Sequence, residues 1–198
     1  MNFLSLSGAA IGGIVGGAIA LIVIIIVIWY ISTRNKFVAL KNDVEESYSA
    51  MDVHMKKRYD LIPNLVSTCK GYSKHESETM TRVTQARAAA IGAATPEQKA
   101  AAERELGASL HTLLNAVVEQ YPNLKADTQF NNLSAQLESC EHEIGNSRKY
   151  YNAKVKIFNN KIEMFPSSIV ARNMRLERKP YFEIEEQERA VPRVSFDD

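Results

Sequence analysis

The main feature of the hydropathy pattern is an uninterrupted apolar run from Gly8 to Ile31, 24 residues without a charged side chain. As an α-helix it would be about 36 Å long at ~1.5 Å per residue. That length is enough to cross a hydrocarbon core of about 30 Å with some tilt. Trp29 and Tyr30 lie at its end, where amphipathic rings favour the headgroup level. The run therefore predicts a transmembrane helix.

Two other interpretations of this run fit less well. A cleaved signal peptide has a basic segment before a shorter apolar core, whereas residues 1–7 contain no Lys or Arg. A buried core helix rarely has an apolar run of this length. Arg34, Lys36 and Lys41 follow the run, and positive charge favours the cytoplasmic side. We expect a short extracytoplasmic N-terminus, a retained anchor at 8–31 and a cytoplasmic domain.

Small residues recur along one face of the anchor. Gly8, Gly12 and Gly16 are four residues apart, and Gly13 with Gly17 forms a second pair of the G-x-x-x-G type. Glycines at this spacing leave a groove in which a second transmembrane helix can approach closely. One interpretation is self-association into a homo-oligomer through the membrane. The other is that glycine is simply frequent in transmembrane helices.

Beyond the anchor, apolar residues are spaced three or four apart, as in amphipathic helices that pack on one another. The sequence lacks the alternation typical of strands. The predicted fold class is all-α, an N-terminal transmembrane helix followed by an up-and-down antiparallel four-helix bundle over 34–166. The positions that carry the pattern are Phe37, Val44, Tyr48, Met51, Met55, Ile62, Val66, Cys69, Met80, Val83, Leu106, Leu110, Leu113, Val117, Tyr121, Phe130, Leu133, Leu137, Cys140, Ile144, Tyr151, Val155, Phe158, Ile162 and Phe165.

Start and stop residues divide this bundle into helices. Thr95 can cap a helix that has Pro96 in its first position, and Gln98 can close a capping box with Thr95. Gly92 fits the end of the preceding helix. Pro122 ends the helix that Thr95 begins, and Pro166 closes the last helix.

Pro63 permits two divisions of the first half of the bundle. Asp60 can cap a new helix with Pro63 in its first turn, or one helix from about 36 to 91 is kinked at Pro63. A break gives four helices of lengths that can pack on one another, and we favour it. On this interpretation the segments 58–65 and 121–124 each form a tight turn between two helices.

The segment 167–198 differs in composition from the bundle. A basic stretch around Arg175 precedes Pro180-Tyr181-Phe182, and an acidic stretch follows. The prolines and the blocks of like charge predict an extended C-terminal tail. Tyr181 and Phe182 either dock this tail on the bundle or belong to a solvated terminus.

Composition excludes some classes of function. The chain has 198 residues with 24 Lys and Arg against 23 Asp and Glu, and a net charge of +1 argues against a nucleic-acid-binding protein. The sequence lacks the phosphate-binding and nucleophile-elbow motifs, and its four histidines lack metal-ligand spacing. Cys69 and Cys140 lie on apolar stripes and are expected to be small buried side chains. We therefore expect no enzymatic activity, no cofactor and no metal.

Several segments resemble those of the LemA family of bacterial membrane proteins. The longest is Lys56-Lys57-Arg58-Tyr59-Asp60-Leu61-Ile62-Pro63-Asn64-Leu65-Val66, which is similar to the R-Y-D-L-I-P-N-L-V signature of that family. The resemblance covers about residues 30 to 196. It implies a single-pass anchor, a cytoplasmic four-helix bundle with a break near Pro63, a bacterial inner membrane and no established enzymatic activity or cofactor. The other matching segments are Lys70-Gly71-Tyr72, His75-Glu76, Ala86-Arg87, 121–126, Arg148, Tyr150-Tyr151-Asn152, Phe165-Pro166 and 180–183.

Two hypotheses for function follow. The first is a non-enzymatic, membrane-anchored bundle that self-associates and serves as a scaffold or organises the inner membrane. The alternative is a cytoplasm-facing adaptor for a membrane protease or signalling enzyme. The partner surface of such an adaptor would lie at the two predicted turns and in the tail, at Arg58, Tyr59, Asp60, Pro63, Asn64, Tyr121, Pro122, Asn123, Tyr181 and Phe182.

Overall fold

The computed structural model describes residues 8–72 and 77–182. Within these two ranges the regular secondary structure is entirely helical, which confirms the predicted all-α class. The predicted extracytoplasmic segment 1–7, the pair His75-Glu76 and the acidic part of the tail lie outside the described residues. The helices are α1 (Gly8–Tyr72), α2 (Ser77–Gly92), α3 (Pro96–Gln120), α4 (Pro122–Lys125), α5 (Thr128–Glu163) and α6 (Ser167–Asn173).

The predicted membrane anchor forms the first part of α1. By length and composition, α1 is the one helix in the described chain that can cross a membrane. Its most apolar window is fully exposed in the single chain, as expected of a surface that contacts lipid acyl chains. Trp29 and Tyr30, at the end of the apolar run, are half-buried.

The described chain forms two compact units. The juxtamembrane unit is Met1–Asp43 with Lys156–Arg178, and the bundle unit is Val44–Val155 with Lys179–Asp198. In the juxtamembrane unit, the rings of Phe37 on α1 and Phe158 on α5 meet edge to face at 6.5 Å between centroids. Both side chains are almost completely buried.

Four helical segments pack in up-and-down order in the bundle unit. The contacts between α1 and α3 advance in the same direction along both helices, so these two segments run parallel. The contacts between α1 and α5 advance in opposite directions, so these segments are antiparallel. Helix α2 is joined to α3 by a short link and packs beside it, as antiparallel neighbours do. The pairs are Asp52–Lys99 and Arg58–Glu103 between α1 and α3, and Tyr48–Tyr151 and Arg58–Glu141 between α1 and α5.

The predicted apolar stripes form the core. Most of their members are buried, among them Met51, Val83 and Leu113, which are fully enclosed. Phe165 is the clearest exception, because its side chain is 81% exposed although the pattern predicted it on the buried face. It follows the end of α5, where the helical period no longer applies.

The predicted break at Pro63 is wrong, because α1 continues through Pro63 to Tyr72. A proline inside a helix leaves the carbonyl four residues earlier without its N–H partner. Here that carbonyl belongs to Tyr59, and Nε of Arg87 on α2 donates to it at 2.7 Å. Since the carbonyl has a donor from the neighbouring helix, the helix need not end at the proline.

The predicted start of α3 is confirmed. Thr95 is its N-cap, and its hydroxyl oxygen accepts from the backbone N–H of Gln98 at 3.2 Å. The side-chain carbonyl of Gln98 accepts from the backbone N–H of Thr95 at 3.3 Å and closes the capping box. Gly92 ends α2, and Pro122 follows the end of α3 as the first residue of α4, as its position predicted.

The start of the predicted extended tail is helical instead. Helix α6 follows Pro166, which acts as its N-cap residue. Val170 and Ala171 are buried and give this short helix a packed face, which composition alone did not indicate. Beyond the helix, Arg175 adopts φ 52°, and the N–H of Leu176 donates to the carbonyl of Ala171 at 3.0 Å, a Schellman-type ending.

Candidate functional site

The glycine face of the anchor is open in the single chain. We define it as Gly12, Gly13, Gly16 and Gly17 of α1, and a Cβ atom added at any of them would meet nothing within 4 Å. At 3.6 residues per turn the four positions fall within an arc of about 140° on one side of the helix. Gly8 also belongs to α1, but its surroundings lie outside the described part of the chain. The face can therefore receive a second helix.

The predicted partner surface is not one surface. Arg58 and Tyr59 were expected on it, but they are only 2% and 5% exposed, because they point into the bundle unit from a continuous helix. Asp60, Pro63 and Asn64 are exposed on α1. These three remain available to a partner.

The second predicted turn lies away from Pro63. Pro122 and Asn123 are exposed and Tyr121 is half-buried, as a partner surface requires. The pairing of α1 with α3 places Pro63 beside a residue of α3 that comes about twelve positions before Tyr121. Pro63 and Tyr121 are therefore separated by roughly 18 Å along the bundle axis. The structure therefore does not bring the two predicted segments together.

A network of charged side chains occupies the interior of the bundle unit, where the sequence predicted a surface. Arg58 on α1 donates through Nη2 to Glu103 on α3 and through Nη1 to Glu141 on α5. Arg58 and Glu103 are buried, whereas the side chain of Glu141 is 58% exposed. One guanidinium group thus joins three helices, with one buried and one solvated carboxylate.

Tyr59 extends this network. Its hydroxyl donates to the second carboxylate oxygen of Glu103, so both oxygens of that buried carboxylate accept a hydrogen bond. Burial, together with the hydrogen bond to Glu103 and the charge of that carboxylate, raises the pKa of Tyr59 well above its usual value. Tyr59 therefore acts as a neutral donor at physiological pH.

Lys99 covers the other side of Tyr59. Its ammonium lies 5.2 Å from the centre of the Tyr59 ring, within the range of a cation–π contact. The same ammonium pairs with the Asp52 carboxylate at 3.7 Å. Lys99 is 8% exposed and the side chain of Asp52 is 51% exposed, so the buried ammonium pairs with a carboxylate that reaches solvent.

The geometry of the ionic network suits a structural role. A buried ion pair adds little net stability over an apolar pair of the same size, but removing one partner leaves an uncompensated charge and is costly. Arg58 and Glu103 can pair in one helix register only. The network therefore favours the observed alignment of α1 with α3 over slipped alternatives.

The segment 180–182 docks on α5, so the interpretation in which Tyr181 and Phe182 hold the tail on the bundle is correct for these residues. The N–H of Phe182 donates to Oδ1 of Asn152 at 2.8 Å, and Nδ2 of Asn152 donates to the carbonyl of Phe182 at 2.7 Å. The Tyr151 hydroxyl donates to the carbonyl of Pro180 at 3.0 Å. Phe182 is buried and Tyr181 is exposed, so only Tyr181 is available to a partner.

The two cysteines are buried, as predicted, and unpaired with each other. Burial raises the pKa of the Cys69 thiol to about 11, so little thiolate forms at neutral pH. In the described residues, no three His, Cys, Asp or Glu side chains converge as metal ligands would. The bundle unit thus presents a packed interior in the part of the chain that the structure describes.

Sequence reasoning missed the partners of Arg58, Lys99 and Phe182. A signal for some of them exists, because Lys99 and Glu103 fall in phase with the buried stripe of α3 at steps of three and four. Charged residues in phase with an apolar stripe indicate an internal ion pair. Asn152 gave no comparable signal, since its partner is the backbone of Phe182, thirty residues later.

Comparison with known proteins places these features in a family context. The model of the LemA family matches residues 47–196. A protein named Protein LemA from Metamycoplasma hominis is 26% identical over 160 residues, which cover 81% of this chain and 73% of the relative. Two proteins of Paramagnetospirillum magneticum, named Magnetosome protein MamQ 1 and MamQ 2, are each 26% identical over 196 residues and cover 84% of this chain and 72% of the relative.

Proposed function

The chain belongs to the LemA family, and from this membership, its apolar N-terminal helix and its open glycine face we propose that it is a non-enzymatic, self-associating scaffold of the bacterial inner membrane. Its N-terminus lies outside and its bundle lies in the cytoplasm, an orientation that the basic residues Arg34, Lys36 and Lys41 favour. The similarity to proteins named for the magnetosome supports a role in organising membranes.

The glycine face is the observation that carries this proposal. Helix association in lipid depends on close packing of backbones, which small side chains allow. The four glycines of the face have open space beside them, so the face has no partner within its own chain among the described residues. A second copy of α1 has the same face and can pack against it symmetrically.

The bundle interior supports a structural role over a catalytic one. The buried charged side chains of the described core, Arg58, Glu103 and Lys99, are engaged with one another or with Tyr59 and Asp52. Catalytic groups instead converge on a cleft that a substrate can enter. The family comparison also brings names without an enzymatic activity.

The experiment is a measurement of the particle mass of the full-length protein in lipid nanodiscs. The wild type is compared with Gly12→Leu/Gly16→Leu, which fills the glycine face with two large side chains. Ala18→Leu is the matched control, because Ala18 lies on the opposite side of the helix by the helical period and is exposed. We expect a defined oligomer for the wild type and the control.

The double variant should be monomeric, or should form a smaller assembly, with unchanged helix content by circular dichroism. A monomeric wild type would contradict the proposal. An oligomer that survives the double substitution would show that another surface holds the copies together, and would contradict the role of the glycine face.

A further inference from the structure

The juxtamembrane unit exposes three large apolar side chains where α5 ends and α6 begins. We call Met164, Phe165 and Ile169 the apolar corner, and they are exposed by 62%, 81% and 58%. The neighbouring Val170 and Ala171 are completely buried, so α6 is oriented by its packed face. Single exposed apolar residues are normal on protein surfaces, but three within six positions form a patch that indicates a contact.

The apolar corner lies at the level where the anchor leaves the membrane. Nδ2 of Asn173, the last residue of α6, donates to the hydroxyl of Tyr30, and Tyr30 lies with Trp29 near the end of the apolar run. Tyrosine and tryptophan at this position occupy the headgroup region of a bilayer. An anchor that places Tyr30 in the headgroup region therefore brings the end of α6 to the same level.

The charges around the corner are mainly basic, with Glu163 before it and Glu177 after Leu176 as the flanking acidic residues. From Met164 to Leu176 the sequence contains Arg172 and Arg175 and no acidic residue, and both arginines are exposed. Glu163, just before the corner, is paired with Arg178 at 2.9 Å. Arg34 and Lys36 on α1 are exposed as well. Basic residues beside an apolar patch are typical of surfaces that bind anionic lipid headgroups.

We propose that the apolar corner inserts into the interfacial layer of the membrane leaflet from which α1 emerges, with Arg172 and Arg175 against anionic headgroups. The chain then contacts the bilayer at two places. Helix α1 crosses it, and the apolar corner lies in one of its surfaces. The inference depends on the anchor but not on self-association, so a monomeric protein would leave it intact. The alternative occupants, a second copy or another protein, are distinguished by the experiment.

The test places a fluorescent label at the corner of the full-length protein in liposomes. Phe165→Cys is made in a Cys69→Ala/Cys140→Ala background and labelled with an environment-sensitive nitrobenzoxadiazole dye. Ile157→Cys is the matched control, because Ile157 is an apolar residue of α5 whose side chain is also exposed, by 51%. It lies eight residues before Phe165, roughly 12 Å along the helix.

Two quenchers report where the dye lies. Phosphatidylcholine liposomes with phosphatidylglycerol carry a nitroxide near the headgroup end of the acyl chain, and iodide is added to the solution. We expect the dye at position 165 to be quenched strongly by the lipid nitroxide and several-fold less by iodide than the dye at position 157. Equal iodide quenching at both positions would overturn the proposal. So would a dye at 165 that is shielded from both quenchers, because a protein would then cover the corner.

A second measurement does not need the cysteine replacements. Hydrogen–deuterium exchange of the wild type is compared in nanodiscs of phosphatidylcholine alone and of phosphatidylcholine with phosphatidylglycerol. We expect slower exchange across 164–176 with the anionic lipid, and loss of this difference in Arg172→Gln/Arg175→Gln. Identical exchange of the wild type in both lipids would overturn the assignment of the arginines to anionic headgroups.

Discussion

The guanidinium of Arg87 on α2 donates through Nε to the backbone carbonyl of Tyr59 on α1 at 2.7 Å. This is the carbonyl that would accept from residue 63 in a regular helix, and residue 63 is a proline. A side chain of a neighbouring helix thus replaces the backbone donor that proline lacks. The contact also ties α2 to the C-terminal part of the long helix α1.

The first prediction concerns this contact. Arg87→Ala leaves the Tyr59 carbonyl without a donor, and we expect it to lower the free energy of unfolding by about 1–3 kcal/mol. Arg82→Ala is the matched control, because Arg82 is an exposed arginine of the same helix, 3.9 Å from Glu78. An exposed pair of this kind contributes at most about 1 kcal/mol. Chemical unfolding of the full-length protein in detergent micelles, followed by circular dichroism, measures the difference.

A double-mutant cycle separates the backbone effect from other roles of Arg87. Pro63→Ala restores an N–H at residue 63, so the carbonyl of Tyr59 regains a helical donor. In that background Arg87→Ala should cost clearly less than in the wild type. An equal cost in both backgrounds would mean that Arg87 stabilises the protein by a different route.

The second prediction contrasts the two carboxylates on Arg58. Glu103 is buried and Glu141 is largely solvated. Glu103→Gln removes the buried charge that compensates Arg58, and we expect a loss of about 3–5 kcal/mol. Glu141→Gln removes a solvated partner and should cost about 1 kcal/mol or less. Similar losses for the two variants, measured by the same unfolding experiment, would contradict the assignment of Glu103 as the main partner.

The sequence predicted the elements whose determinants are local. Thr95 and Gln98 are three residues apart and form the capping box that their identities indicate, and the apolar period correctly placed Met51 and Leu113 in the core. The predictions that were wrong depend on residues that are far apart in the sequence. The course of the chain at Pro63 depends on Arg87, 24 positions later in the sequence, and no pattern around the proline reports this donor.

In the candidate site, too, local features could be predicted from the sequence, whereas contacts between distant residues could not. The glycine face could be read from the spacing of Gly12, Gly13, Gly16 and Gly17, because helical geometry alone places them on one side. Arg58 and Tyr59 were assigned to a partner surface because they lie in a segment that was predicted to form a turn between two helices. Their burial depends on Glu103, which is brought to them only when α3 packs beside α1.

The third prediction concerns alkaline pH. Burial first, then the charges of Tyr48 and Glu97, raise the pKa of Tyr151 from 10.0 to about 12. A group whose pKa is raised on folding stabilises the protein below its unfolded pKa, and this contribution disappears as the pH rises towards the folded value. Stability should therefore fall between about pH 10 and about pH 12.

Tyr151→Phe isolates this effect, because phenylalanine cannot ionise. Below pH 10 the variant should be less stable by a constant amount, since it loses the hydrogen bond to the carbonyl of Pro180. Across the alkaline range its stability should fall less steeply than that of the wild type, as measured by denaturant unfolding at a series of pH values. If the stability of the two proteins falls equally steeply with pH, the raised pKa of Tyr151 is refuted.

The fourth prediction concerns the docked segment 180–182. Asn152 makes two hydrogen bonds with the backbone of Phe182, and the Phe182 ring packs edge to face on Tyr151 at 6.5 Å between centroids. Two hydrogen bonds of about 1 kcal/mol each mean that Asn152→Ala should raise the population of the undocked segment by roughly 30-fold.

The measurement is limited proteolysis. Chymotrypsin cuts after aromatic residues, and it can reach the peptide bond after Phe182 only when that buried side chain leaves the bundle. Cleavage at that bond should therefore accelerate in Asn152→Ala and stay at the wild-type rate in Asn160→Ala, which changes an exposed asparagine of the same helix. An unchanged rate in Asn152→Ala would mean that other contacts hold the segment. The two hydrogen bonds would then not explain why Tyr150-Tyr151-Asn152 and 180–182, which lie in segments that resemble the family signature, meet in the structure.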